Sequence, residues 1–97
     1  MEQISFHRLA RRELIDAALF YDVESPGLGA AFLDEVEDCT RNLLAFPESG
    51  QVVRGGVRRR LLRRFPYALL YSLKKDTIRV LAVMNLKRRP LYWVGRE

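Results

Sequence analysis

The run Ala68-Leu69-Leu70-Tyr71-Ser72-Leu73-Lys74-Lys75-Asp76-Thr77-Ile78-Arg79-Val80-Leu81-Ala82-Val83-Met84 decides the fold. Residues 68–73 are rich in apolar side chains on both faces, as in a strand covered on two sides. Lys74 to Thr77 form a polar turn, and residues 78–84 have the β-branched, aliphatic composition of a strand. The two runs predict an antiparallel hairpin. Upstream, after Gly55-Gly56, Val57 to Arg64 alternate bulky and basic residues and predict a third strand, although Leu61-Leu62 blur which face is inward. Downstream of Asn85 the chain is basic and aromatic and carries no regular period.

Further upstream the period changes from two to about four. Leu28, Phe32, Val36, Cys39, Leu43 and Phe46 form one apolar stripe, with Asp34, Glu35, Glu37 and Asp38 on the far side, predicting a helix over 28–45. Ala10, Leu14, Ala17 and Tyr21 form a second stripe, predicting a helix from Leu9 to about Tyr21. Ser25-Pro26-Gly27 breaks the two apart, so they must pack as an antiparallel helical hairpin. Ile4-Ser5-Phe6 reads as a short first strand. The expected order is β-α-α-β-β-β: an α+β domain with a helical hairpin laid on a three- to four-stranded antiparallel sheet.

With 97 residues, 48% of them hydrophobic, the chain has material for one domain over 1–97 with one thin core. No apolar run approaches the ~20 residues that span a bilayer. Met1-Glu2-Gln3-Ile4-Ser5 lacks the basic start and apolar middle of a leader, and the lone Cys39 can form no internal disulfide. A cytoplasmic protein without a membrane partner is expected. The net charge of +5 is unevenly spread: residues 1–50 carry a net of −6 and residues 51–97 a net of +11. Such asymmetry points to a surface for nucleic acid or for an acidic protein segment.

Several chemistries are poorly served. His7 is the only histidine and Cys39 the only thiol, and neither has a partner at metal-ligand or nucleophile spacing. Cys39 reads as core, His7 as a surface or helix-start residue, and the carboxylates of the second helix as a solvated face. No Gly-rich phosphate loop is present, and no metal or cofactor is expected. What remains is a set of arginines and lysines interleaved with Phe65, Tyr67, Tyr71, Tyr92 and Trp93. Paired guanidinium donors and flat rings suit single-stranded nucleic acid or an acidic peptide. Tyr71 also reads as core, and Arg59, Arg60 and Lys75 as charges that protect a sheet edge.

One ordered set of segments carries a resemblance. It runs Ala10-Arg11-Arg12-Glu13-Leu14 with Ala17-Ala18 and Tyr21, Gly27-Leu28-Gly29 with Phe32, and Pro47-Glu48-Ser49-Gly50. It continues with Val57-Arg58-Arg59, Arg64-Phe65-Pro66-Tyr67 and Tyr71, then Ile78-Arg79-Val80-Leu81-Ala82-Val83. It ends with Arg88, Arg89-Pro90, Tyr92-Trp93 and Arg96. In this order the chain resembles the RelE/ParE superfamily of toxins from bacterial type II toxin–antitoxin systems, the ParE-like branch most closely. The resemblance implies a cognate antitoxin that wraps the domain in a hetero-oligomer, and DNA gyrase as the target, met by binding and not by catalysis. The nuclease branch instead cuts mRNA on the ribosome without metal. For that alternative the candidate catalytic residues are Arg58, Arg79, Arg88 and Tyr92. Phe65-Pro66-Tyr67 stands where that branch offers a catalytic arginine, and Asn85 where ParE-like relatives often have histidine. The residues expected to meet a target or antitoxin are Arg58, Arg60, Arg64, Arg79, Lys87, Arg88, Arg89, Tyr92, Trp93 and Arg96. A non-toxic binding module of the same fold is the third expectation.

Overall fold

The computed structural model describes residues 3–97; Met1 and Glu2, which open the stretch read for a leader, lie outside the described residues. The chain runs β1 (Gln3–Phe6), α1 (Arg8–Glu24), α2 (Leu28–Ala45), β2 (Gln51–Arg54), β3 (Val57–Leu61), β4 (Tyr67–Lys74) and β5 (Thr77–Asn85). The hairpin read from residues 68–84 is β4 and β5, and α2 has the bounds its apolar stripe predicts. The α+β fold is therefore as expected, with the sheet extended beyond three or four strands.

That sheet has five strands in the order β1-β5-β4-β3-β2. It is mixed: β1 lies parallel to β5, while the other neighbours are antiparallel. The short β1 takes the edge of β5 that β4 leaves free. The additional strand β2 is exposed at all four residues. A strand bare on both faces has no apolar alternation, so periodicity could not reveal it. Its pairing with β3 reaches Arg59, opposite Gln51, and corrects the reading of that residue as an edge charge; Arg60 lies one residue beyond the paired stretch. Strand β3 also stops at Leu61, short of Arg64. Leu62 turns inward and is buried, whereas Leu61 stays half exposed.

The pairing of β4 with β5 contains a bulge. Leu70 faces Ala82 and Tyr71 faces Val80, so Leu81 is an extra residue on β5. An extra residue inverts the alternation of everything beyond it. Before the bulge, Ile78 and Val80 point to the helices; after it, Val83 does, while Ala82 and Met84 point to the opposite face. One strand thus feeds two cores. Under the hairpin, Tyr21, Phe32, Phe65 and Tyr67 stack with centroids 4.9–6.1 Å apart, beside Leu43, Leu69 and Tyr71. On the far face, Trp93 from the C-terminal tail covers Ala68, Leu70, Ala82 and Met84. The indole is 3% exposed and its Nε1 donates to the Pro90 carbonyl (2.8 Å).

Local contacts set the ends of the helices. The Nδ1 of His7 accepts a hydrogen bond from the Leu9 amide (3.0 Å), so His7 is the α1 N-cap. Between the helices, Gly27 adopts φ +89°, a left-handed conformation open to glycine, and Asp22 Oδ1 accepts from the amides of Gly27 and Gly29 (3.1 Å each). At Gly29 the helices are in close approach: a Cβ there would stand 2.4 Å from the Ala18 carbonyl oxygen. Tyr71 is fully buried, as expected of core, and its hydroxyl donates to the Pro47 carbonyl (2.8 Å) and accepts from the Gly50 amide (2.9 Å). The loop after α2 is thereby fixed to the centre of the sheet.

Gly29→Ala should force the hairpin apart and cost about 2 kcal/mol, the usual scale of overpacking. Thermal unfolding should register that as a loss of roughly 10 °C. A second expectation concerns pH. Burial and then the charges of Arg79, Arg96 and Arg8 hold the His7 pKa below its ordinary value. The cap needs a neutral imidazole, so its contribution is present above pH 6.5 and is lost as pH falls through the lowered folded value. Urea unfolding at pH 7 and pH 5 should show a loss of up to about 1 kcal/mol, the worth of an N-cap, that is absent in His7→Asn.

Candidate functional site

Beyond Val80, where β1 ends, the edge of β5 is met by side chains and not by another strand. Glu13 of α1 supplies the acceptor: its Oε1 takes the Val83 amide (3.0 Å) and Arg96 Nη1 (3.0 Å). Its Oε2 takes the Tyr92 hydroxyl (2.8 Å) and Arg96 Nη2 (3.1 Å). Arg96 Nη1 also donates to the carbonyl of Leu81, the bulge residue (3.0 Å). A paired guanidinium–carboxylate contact of this kind is strong and directional. It is also largely withdrawn from water, with side-chain exposures of 12% for Arg96 and 16% for Glu13. Burial, together with the hydrogen bond to Glu13, raises the Tyr92 pKa far above its ordinary value. The hydroxyl is held protonated as a donor.

The tail sits on this grip. Asn85 Oδ1 accepts the Lys87 amide (2.9 Å), and the Arg88 amide donates to the Asn85 carbonyl (2.9 Å), forming a tight turn. Arg88 lies over the Tyr92 ring, its guanidinium carbon 4.1 Å from the centroid, and Arg96 lies 4.9 Å from the same ring. Lys87, Arg88 and Arg89 are exposed, and among the described residues none of them is in an ion pair. These three form a cationic knuckle at the end of β5. Beside them is a shallow hollow of about 340 Å³ walled by Phe20, Tyr67, Asn85, Lys87 and Arg88.

The remaining expected site residues are placed elsewhere. Arg58 donates to the carbonyls of Glu48 (3.0 Å) and Gly50 (2.8 Å), holding the loop before β2. Arg60 donates to Ser49 Oγ (2.8 Å) and Asn42 Oδ1 (2.6 Å), tying β3 to α2. Arg79 donates to the Glu97 carbonyl (3.1 Å) and Ser5 Oγ (3.2 Å). Arg64 is exposed, with its guanidinium 5.5 Å from the Phe65 ring. Trp93 is a core residue. The structure therefore gathers Arg88, Tyr92 and Arg96 into one cluster beside Lys87 and Arg89, and sends Arg58, Arg60 and Arg79 to structural contacts.

A larger groove of about 640 Å³ runs between α2 and residues 60–64. Its floor includes Cys39 and Leu62, its α2 wall Asp34, Glu35 and Asp38, and its other wall Arg60, Arg63 and Arg64. Glu35 departs from the expected solvated face: its carboxylate accepts the backbone amides of Arg63 and Arg64 and anchors the loop after β3. Cys39 is buried, and burial raises its thiol pKa, so it offers no ready nucleophile. Among the described residues no three His, Cys, Asp or Glu side chains gather as a metal site, and no helix is long and apolar enough to cross a membrane. Sequence reasoning missed Glu13 as the centre of the cluster that holds Tyr92 and Arg96. The signal was a charge between Ala10 and Ala17 on the inward stripe of α1. It also missed an outer row of exposed apolar residues on the same helix, Ile15, Leu19 and Val23.

Residues 4–90 match the family model described as the ParE toxin of the type II toxin-antitoxin system, parDE. Among solved structures, a chain of the chromosomal ParDE TA system from P. aeruginosa superposes with a TM-score of 0.76. The likeness covers 88% of this chain and 96% of that chain at 21% identity, and it establishes the fold. Among curated proteins, none matches the chain.

Arg96→Ala strips a buried carboxylate of its charged partner and should cost about 3 kcal/mol in urea unfolding. Adding Glu13→Gln to that variant should recover part of the loss, because the charge left unpaired is then gone.

Proposed function

Because this chain belongs to the ParE toxin family of type II toxin–antitoxin systems, we propose that it acts in the cytoplasm by binding and inhibiting DNA gyrase, and that a cognate ParD-type antitoxin neutralises it. The observation that carries this reading is the state of Tyr92. An RNase of the nuclease branch must activate a 2′-hydroxyl, stabilise the phosphorane and protonate the leaving oxygen. Tyr92 donates a hydrogen bond to Glu13, and its raised pKa makes it a poor acid or base near neutrality. Arg58 and Arg79, the other residues an mRNA endonuclease would recruit, spend their donors on carbonyls and on Ser5. The Lys87-Arg88-Arg89 knuckle is exposed and, among the described residues, outside any ion pair, which suits it to binding. These features support a protein-binding toxin over an enzyme.

In the same reading the antitoxin segment is disordered alone and folds onto the domain. Its acidic side chains meet the basic residues, and its apolar side chains enter the groove between α2 and residues 60–64.

Inducible expression in a bacterium, with growth, cell shape and a reporter message followed together, tests the proposal. Growth arrest with filamentation and intact message is the expected result, reversed by the neighbouring antitoxin. Rapid message cleavage with halted translation would make the chain a ribosome-dependent endonuclease. Harmless expression at confirmed soluble levels would leave only a binding module.

A further inference from the structure

A buried ion pair contributes little net stability compared with apolar packing, but it holds geometry closely. The pair between Glu13 and Arg96 lies where geometry matters for the tail. Glu13 is on α1, the first helix, yet three of its four acceptor contacts go to Tyr92 and Arg96, 79 and 83 residues away. Through Tyr92 the effect reaches the surface. Glu13 fixes the hydroxyl, the hydroxyl fixes the ring, and the ring carries the Arg88 guanidinium at 4.1 Å. Arg88 is otherwise an exposed side chain that, among the described residues, is in no ion pair.

We infer that Glu13 is a positioning residue: by gripping Tyr92 and Arg96 it holds the tail against β5 and presents Arg88, with Lys87 and Arg89 beside it, as a preorganised cationic surface for an acidic patch on a protein target. This rests on the reading of the tail as the target-facing surface. A long arginine side chain loses substantial conformational freedom when a partner captures it, and a guanidinium already seated on a ring loses less. Glu13 acts on Arg88 through its grip on Tyr92 and Arg96.

The test is a double-mutant cycle of Glu13→Gln and Arg88→Ala, read by growth arrest at matched soluble protein and by hydrogen exchange of the purified chains. In Glu13→Gln the Tyr92, Val94 and Arg96 amides should exchange about tenfold faster, while Leu69 and Leu70 in β4 keep their protection. The inducer needed for half-arrest should rise severalfold in each single variant. The double variant should be no weaker than Arg88→Ala alone. Additive losses would overturn the proposal, since Glu13 would then act on the fold and not through Arg88. Unchanged tail exchange would overturn it as well. If Glu13→Gln does not fold, Tyr92→Phe replaces it in the same cycle, because it removes the hydroxyl contact and keeps the ring. A wild-type chain that arrests nothing would defeat the toxin reading, and the exchange comparison would still decide whether Glu13 holds the tail.

Discussion

The extra residue in β5 is the constraint on which the rest of this structure depends. An uninterrupted strand would send Ile78, Val80, Ala82 and Met84 to a single face. With Leu81 inserted, the first pair packs under the helices and the second pair opens a small apolar floor on the other side of the sheet. That floor needs a cover, and Trp93 provides it. Bringing Trp93 over the sheet carries Tyr92 and Arg96 to the β5 edge, where β1 has already ended. The carbonyl of the bulge residue and the amide two residues on are then satisfied by Arg96 and Glu13. Buried backbone groups of this kind seldom remain without partners. The bulge, the tail and Glu13 are one solution to one hydrogen-bonding problem.

Charge follows the same division of labour. The acidic first half and basic second half meet at several contacts: Glu13 is paired with the buried Arg96, the exposed Glu48 stands near Arg58, and Glu35 accepts the backbone amides of residues 63–64. Part of the positive surplus is consequently absorbed within the fold. Among the described residues, exposed cations outside ion pairs include Arg63 and Arg64 along the groove and Lys87, Arg88 and Arg89 past β5, both groups at the end of the sheet where β3 and β5 finish, together with Arg54, Lys74 and Lys75 at the opposite end.

Much of the architecture could be read from periodicity. The stripe from Leu28 to Leu43 set α2, and the two apolar runs around Lys74–Thr77 set the central hairpin. The readings that needed revision fall where side-chain pattern carries little information. Strand β2 is bare on both faces, so Val52 and Val53 show no inward partner. The parallel pairing of β1 depends on which edge of β5 is free, a long-range property absent from Ile4-Ser5-Phe6. The bulge is hidden because Val80-Leu81-Ala82-Val83 is apolar in any register. For the site, the exposed cations were legible from composition, and their anchoring was not. Arg58, Arg60 and Arg79 look like Lys87 and Arg89 in sequence and differ only in whether a carbonyl or amide oxygen stands within reach. Glu13 was visible as a charge in an apolar stripe, but its partners lie about eighty residues away.

The parallel contact between β1 and β5, together with the bonds from Glu13 to Tyr92 and Arg96, joins segments at opposite ends of the order of synthesis. Contacts of such sequence separation require a long loop to close before they return any stability, and they form slowly. During translation β1, α1 and α2 emerge with the apolar stripe of the hairpin uncovered, since β4 and β5 follow it. The cationic knuckle is assembled after both. The nascent chain therefore passes through a stage in which Lys87, Arg88 and Arg89 are not yet held in place while the core-forming face of the helical hairpin is uncovered.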